Sequence, residues 1–192
     1  PILTLGVFSI LNTEMGVIGM LPLVAQNFHV SVPEAGWTVT IFALMVAISG
    51  PILPALFSGI NRKAIMVLSL LVFIAANMVS MMTESFAVVL VARAIPGLFH
   101  PVFVSMAFTI AATSVAKKDA PKAIAKVYIG VSAGMVLGVP IASYIASEAS
   151  YAMSMFYFGA VNVILLGLVM VFVPSLPVQE RLAYGEQVRV LK

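Results

Sequence analysis

The sequence predicts an all-α integral membrane protein of six transmembrane helices. Composition, run length and charge placement carry that expectation. The chain is 62% hydrophobic and 9% charged over 192 residues, with a mean hydropathy of +1.14. A water-soluble domain averages about 45–50% apolar and about 25% charged, and one of this size has no way to hide so much apolar surface. Six apolar runs approach or exceed the roughly 20 residues that a helix needs to cross a bilayer. They are far longer than the roughly 10 residues of a membrane barrel strand, and none shows strand-type alternation.

The first run, Ile2–Ala25, carries Glu14 at its middle and Pro22 near its end. Its length and its internal acid make it a span rather than a removable leader. The second, Gly36–Ser58, contains Pro51 and Pro54, and the third, Ala64–Met82, has no proline. The fourth, Phe86–Val115, holds Arg93, Pro96, His100 and Pro101. The fifth, Ala123–Ala146, holds Gly130, Gly134, Gly138 and Pro140, and the sixth, Ala152–Val173, again lacks proline. A proline inside a span frees a backbone carbonyl, which is tolerable only beside a compensating neighbour or a water-lined cavity. Spans one, two, four and five are therefore expected to line a path, with three and six supporting them.

Charge placement sets the expected orientation. Nine of the ten Lys and Arg residues fall at one end of the bundle: Arg62 and Lys63, then Lys117, Lys118, Lys122 and Lys126, then Arg181, Arg189 and Lys192. The loops at the other end carry Glu34, Glu84 and Glu148. By the positive-inside rule both termini are then cytoplasmic, and the protein resides in the cell (inner) membrane. Trp37 and Tyr151 suit an interfacial aromatic belt at the outer ends of spans two and six. The pI of 9.4 thus reflects membrane loops and points to lipid rather than nucleic acid. The chain has no cysteine and two distant histidines, His29 and His100, so no metal site is expected.

Two charges lie where lipid should be. A charge at the bilayer centre costs about 2.5–3.5 kcal/mol on insertion scales, so Glu14 and Arg93 are expected to face a shared interior, paired directly or through water. They form either a structural ion pair between spans one and four or a proton site. A carboxyl can serve as the latter because desolvation and nearby charge shift its titration; a guanidinium stays protonated and cannot. His100 lies seven residues beyond Arg93, two turns along the same face, and is open to a relay or a packing role. Asn12, Thr13, Tyr128 and Ser132 are further polar groups at membrane depth. Asn77 and Asn162 are expected to act as interhelical glue. Gly130, Gly134 and Gly138 make a smooth stripe for close helix approach. Gly130-Val131-Ser132-Ala133-Gly134 matches the letters of a hydrolase elbow, but such an elbow belongs on a strand-to-helix turn.

Glu14 precedes Pro22 by eight residues, as Arg93 precedes Pro101, with Gly19 and Gly97 in between. Residues 1–83 and 84–174 start on opposite sides of the membrane, so the match fits a three-plus-three inverted repeat.

These residues carry a resemblance to the major facilitator superfamily, in particular its drug:proton antiporter branch, which includes sugar and nucleoside efflux proteins. Thr13-Glu14, Gly19, Leu21-Pro22, Ala25 and Val30-Ser31 resemble that branch's helix 1 signature. Val89 to Gly97, with Arg93, is similar to the helix 4 motif whose arginine is linked to proton transfer. Gly130, Gly134, Gly138 and Pro140 resemble the helix 5 antiporter motif. The segment Pro54 to Lys63 falls where the family's cytoplasmic gating motif belongs, and Gly59, Arg62 and Lys63 are its gating candidates. Ser58-Gly59 stands there in place of the usual Asp-Arg, Pro96 in place of a Gln, and Pro140 follows Gly138 by two residues instead of one.

The resemblance implies the N-terminal six-helix half (residues 1–174) of a twelve-helix carrier, followed by a linker over residues 175–192. Its partner is a C-terminal half or a second copy. It implies export of small molecules (drugs, sugars or nucleosides) in exchange for protons, with no cofactor beyond the proton gradient and no catalytic residue. Glu14 would carry the proton with Arg93 as its partner. Ile18, Met45, Gly97, His100, Tyr128 and Met135 are the expected cavity wall. A channel, or a half-module that only assembles, is the competing expectation, and an intramembrane serine protease at Ser132 ranks well below both.

Overall fold

The computed structural model describes residues 1–175; the expected linker lies outside them except for Ser175. Nine α-helices are present among the described residues: α1 Ile2–Gly19, α2 Leu21–Phe28, α3 Val32–Ala35, α4 Trp37–Ser49, α5 Leu53–Leu56, α6 Arg62–Met82, α7 Phe86–Thr113, α8 Ala120–Glu148 and α9 Tyr151–Phe172. Joined where they run on into one another, they give six segments long and apolar enough to cross a membrane. The all-α, six-span expectation holds.

Proline explains where the segments depart from the expected runs. Pro22 has no N–H, so the first run breaks at Met20, whose N–H reaches only to Val17 O at 3.2 Å. The chain then continues as α2 to Phe28 and stops at His29, which adopts the left-handed conformation (φ 53°, ψ 40°). Val30 N–H closes that end on Ala25 O at 3.0 Å, the backbone pattern of a helix stop. The second run is interrupted at Gly50–Ile52, ahead of α5, by Pro51 and Pro54. In contrast, α7 and α8 run through Pro96, Pro101 and Pro140 without a break.

The principal helix contacts are α1 with α8, α4 with α7, and α6 with both α7 and α9, while α1 also touches α9. Two apolar clusters result. One, towards the basic end, includes Val7, Ile10, Phe42, Met66, Phe73, Phe103 and Leu165. The other, towards the acidic end, includes Val17, Met20, Phe28, Val89, Met155 and Phe158. Between them lies a buried polar layer containing Ser9, Asn12, Thr13, Arg93, His100 and Asn162. Outside, residues such as Val91, Ile95, Val136 and Val171 are exposed, an apolar exterior suited to lipid. Trp37 is among the exposed residues, but Tyr151 is not. It is 5% exposed and meets Phe28 edge-on at 5.2 Å, so it packs in the bundle rather than in an aromatic belt.

The α1–α8 contact depends on the glycine stripe. A Cβ at Gly130 would fall on the carbonyl oxygen of Thr4. At Gly134 it would lie 2.6 Å from Leu11 Cβ and 2.9 Å from Phe8 O, and at Gly138 3.2 Å from Asn12 Cα. Backbone cannot yield as a side chain can, so over-packing here should cost about 1–3 kcal/mol per site. Gly130→Ala and Gly134→Ala should therefore lower the thermal midpoint of the purified protein by several degrees, and Gly138→Ala by less. Equal midpoints for all three would contradict this packing.

Candidate functional site

Arg93 organises the polar layer. It projects from α7, two turns in, and is 5% exposed. Its Nη1 donates to Thr13 O at 3.3 Å and its Nη2 to Glu14 O at 3.4 Å, both on α1. Its Nε donates to Thr38 O on α4 at 3.3 Å, and its guanidinium carbon sits 4.6 Å from the centroid of Phe42. A helical carbonyl already bonded along the helix has a second lone pair to offer. Charge-assisted bonds of this kind, with a cation over an aromatic face, offset the cost of desolvating the guanidinium. One side chain thus joins the backbones of three helices.

Arg93 and Glu14 do face the same interior, but the direct form of the expected pairing, guanidinium on carboxylate, is not present among the described residues. Arg93 takes the backbone of α1, and the Glu14 side chain turns to His100, with Oε2 standing 3.0 Å from Nε2. Both side chains are sheltered, 18% and 11% exposed respectively. The physical reason is α7 geometry. Arg93 and His100 do share a face, and both pack against Phe42, His100 at 5.7 Å between centroids and at 73°. They are nonetheless two turns apart, and the acid on α1 meets the second of them. The approach is a close contact and not a formed hydrogen bond: Glu14 Oε2 and both ring nitrogens of His100 have no hydrogen-bond partner among the described residues.

A neutral network flanks this pair. Asn162 on α9 accepts from Ser9 Oγ at 3.0 Å and donates to Thr13 Oγ1 at 3.3 Å. Asn12 Nδ2 donates to Tyr157 OH at 3.3 Å. Asn77, the other expected glue residue, has an amide nitrogen without a partner among the described residues.

The remaining expected residues fall into three groups. Gly97 does not line a cavity: a Cβ there would lie 2.9 Å from both Met45 Cβ and Phe42 O, so it is the closest point of the α4–α7 contact, with Met45 against it. Ile18, Tyr128 and Met135 lie on the surface of the bundle, 41%, 58% and 51% exposed, with Tyr128 beside Phe108. A cavity of about 560 Å³ opens at the basic end between α1, α7, α8 and α9, lined in part by Thr4, Ser114, Lys122 and Lys126. None of the expected wall residues borders it.

Gly59 closes a short 3-10 turn, Phe57–Gly59, and the residues after it act as ties. Asn61 caps α6 and donates to Ser175 Oγ at 2.6 Å. Arg62 donates to Thr113 Oγ1 at 3.2 Å and Lys63 to Met170 O at 2.6 Å. They hold the ends of α7 and α9. Ser132 lies inside α8, in helix and not on a strand-to-helix turn, which removes the structural premise of a hydrolase elbow.

Sequence comparison agrees with this architecture. The model of the Major Facilitator Superfamily matches residues 3–189. The chain is 33% identical over 173 residues to the uncharacterized MFS-type transporter YtbD of Bacillus subtilis (strain 168), covering 90% of this chain and 44% of the relative. It is 27% identical over 152 residues to the inner membrane transport protein YdhP of Escherichia coli (strain K12), covering 79% and 39%. The fold matches that of the human organic anion transporter MFSD10 (TETRAN), with a TM-score of 0.74 at 19% identity, over 94% of this chain and 48% of the other. The chain therefore spans about half the length of the relatives it matches. All three are transporters by name, not enzymes.

Because Arg93 bonds to carbonyls and not to a carboxylate, charge removal at Glu14 should not compensate for its loss. Arg93→Met should cost roughly 3 kcal/mol, given about 1.5–3 kcal/mol for a hydrogen bond to a charged group. Chemical denaturation of Arg93→Met, Glu14→Gln and the double variant should show no rescue, the double variant being no more stable than Arg93→Met alone. Recovery of stability in the double variant would restore the direct ion pair.

Proposed function

The chain belongs to the major facilitator superfamily, and on that premise we propose that it is the N-terminal half of a proton-coupled antiporter that exports small molecules such as drugs, sugars or nucleosides. The observation that carries the reading is the 3.0 Å approach of Glu14 Oε2 to His100 Nε2 inside the bundle. A sheltered carboxyl beside an imidazole is a place where one proton can be held and passed on. Glu14 carries the proton. His100 receives it at Nε2, and its Nδ1 is the second port of the same ring; neither nitrogen is taken up by a hydrogen bond from a described residue.

Arg93 has a different part from the one its charge first suggests. Its hydrogen bonds run to backbone, so it fixes where Glu14 stands instead of trading protons or partners with it. With its bonds to Thr13, Glu14 and Thr38 it keeps α1, α4 and α7 in register while the Glu14–His100 contact makes and breaks. Protonation of Glu14 weakens that contact and favours one face of an alternating-access cycle; substrate arriving from the other side favours release.

Two further features support the wider reading. The helix contacts survive exchange of residues 1–83 with 84–174: α1 on α8 corresponds to α7 on α4, and α6 on α7 to α9 on α1, as an inverted three-plus-three repeat requires. The placement of nine of ten basic residues at one end supports cytoplasmic termini in the cell membrane. A C-terminal half or a second copy completes the substrate path. Ile18, Tyr128 and Met135, exposed on this half, then face that path, and the Gly59–Lys63 corner sits at its cytoplasmic gate.

The test uses the full-length protein in cells or vesicles, with ethidium, a thiogalactoside and a purine nucleoside as separate arms. For whichever is exported, Glu14→Gln should abolish efflux driven by a pH gradient while leaving membrane insertion and substrate-for-substrate exchange intact. His100→Gln should slow gradient-driven efflux by about a hundredfold, the low end of what a positioned proton-transfer group contributes. Gradient-driven efflux unchanged in Glu14→Gln would end the assignment.

A further inference from the structure

Asn162 is expected to act as interhelical glue, and the helix its amide joins to α9 is α1. Its Oδ1 accepts from Ser9 Oγ at 3.0 Å and its Nδ2 donates to Thr13 Oγ1 at 3.3 Å, while also bonding Phe158 O at 2.8 Å. Thr13 Oγ1 in turn donates to Ser9 O at 3.0 Å. Ser9, Thr13 and Asn162 are all buried, at 1%, 2% and 0% exposure. Thr13 is therefore held twice, by its hydroxyl from α9 and by its carbonyl from Arg93 on α7, and it is the residue immediately before Glu14.

Holding α1 at this point governs the direction of Glu14. The face of α1 against α8 rests on the glycine stripe, and side chains tie the two helices only near the ends of α1, where Thr4 Oγ1 donates to Lys126 O at 3.0 Å and Ser143 Oγ to Gly19 O at 2.9 Å. A side-chain tip lies about 5–6 Å from a helix axis, so a rotation of about 20° carries the carboxylate roughly 2 Å. That is enough to break a 3.0 Å contact with His100. The Ser9–Thr13–Asn162 bonds are all between neutral groups, so they hold α1 in the same orientation whether or not Glu14 carries a proton. We propose that Asn162, acting through Thr13 and Ser9, is the positioning residue that sets the rotation of α1 and thereby aims Glu14 at His100. The inference rests on the reading of Glu14 as the proton site and adds a residue to it on a separate helix.

Dicyclohexylcarbodiimide, which adds to a carboxyl in its protonated form, reads this without a known substrate. The full-length protein in lipid is labelled from about pH 5 to about pH 9, the range around an imidazole's titration, and modification of Glu14 is quantified by peptide mass spectrometry. His100→Gln supplies the reference displacement of the labelling midpoint. Asn162→Leu and Thr13→Val should displace it in the same direction and by at least half as much, whereas Thr13→Ser, which keeps the hydroxyl, should stay on the unaltered profile. If Asn162→Leu does not fold, the Thr13 pair decides. Asn162→Leu or Thr13→Val profiles that coincide with the unaltered protein, with only the thermal midpoint lowered, would reduce Asn162 to helix glue and overturn the inference alone. No labelling of Glu14 at any pH, or no displacement in His100→Gln, would remove the proton site and this inference with it.

Discussion

A guanidinium cannot be left in a bilayer without partners, and how Arg93 is satisfied shapes the middle of this bundle. Its donors are directed in a rigid fork, and they find carbonyl oxygens on α1 and α4 together with the face of Phe42. Three helices, α1, α4 and α7, are tied at one depth. That tie fixes the layer in which Ser9, Asn12, Thr13, His100 and Asn162 find their place, between one apolar cluster at each end.

From this constraint the division of labour among the charged residues follows. Because Arg93 is occupied by backbone, the Glu14 carboxylate is free to take a titratable partner, and His100 supplies it. A permanently charged group is held by backbone, and two titratable groups are left facing each other. Had Arg93 taken the carboxylate, the acid would be held ionised by a partner that never deprotonates, and His100 would have nothing to meet. The neutral bonds of Asn162 to Ser9 and Thr13 brace the same stretch of α1 from the opposite side.

Much of this was legible in the sequence, for identifiable reasons. Lipid as solvent makes span count a matter of apolar length, so six spans could be read directly, and Pro22, Pro51 and Pro54 marked where two of them break. The glycine stripe of α8 showed its purpose because four-residue spacing places Gly130, Gly134 and Gly138 on one helix face. Glu14, Arg93 and His100 stood out because polar groups at membrane depth are costly. What the sequence hid was who holds whom. Backbone carbonyls have no letter, so Thr38 and the two carbonyls of α1 could not be nominated as partners of Arg93, and opposite charges suggested a pair that geometry does not make. Tyr151 was misplaced for a related reason, since an aromatic at a helix end suits either a membrane interface or an interior and only packing against Phe28 decides. The part Gly97 plays in the contact with α4 was equally hidden, because a missing side chain does not say which neighbour approaches.

The central claim concerns which atoms surround one guanidinium. A cryo-electron-microscopy map of the full-length protein in lipid, resolving side chains, tests it most directly. The account predicts Arg93 within hydrogen-bonding distance of the main-chain oxygens of residues 13, 14 and 38, with the Glu14 carboxyl turned towards His100. A map in which the guanidinium lies on the Glu14 carboxylate, with His100 standing apart from both, would contradict it.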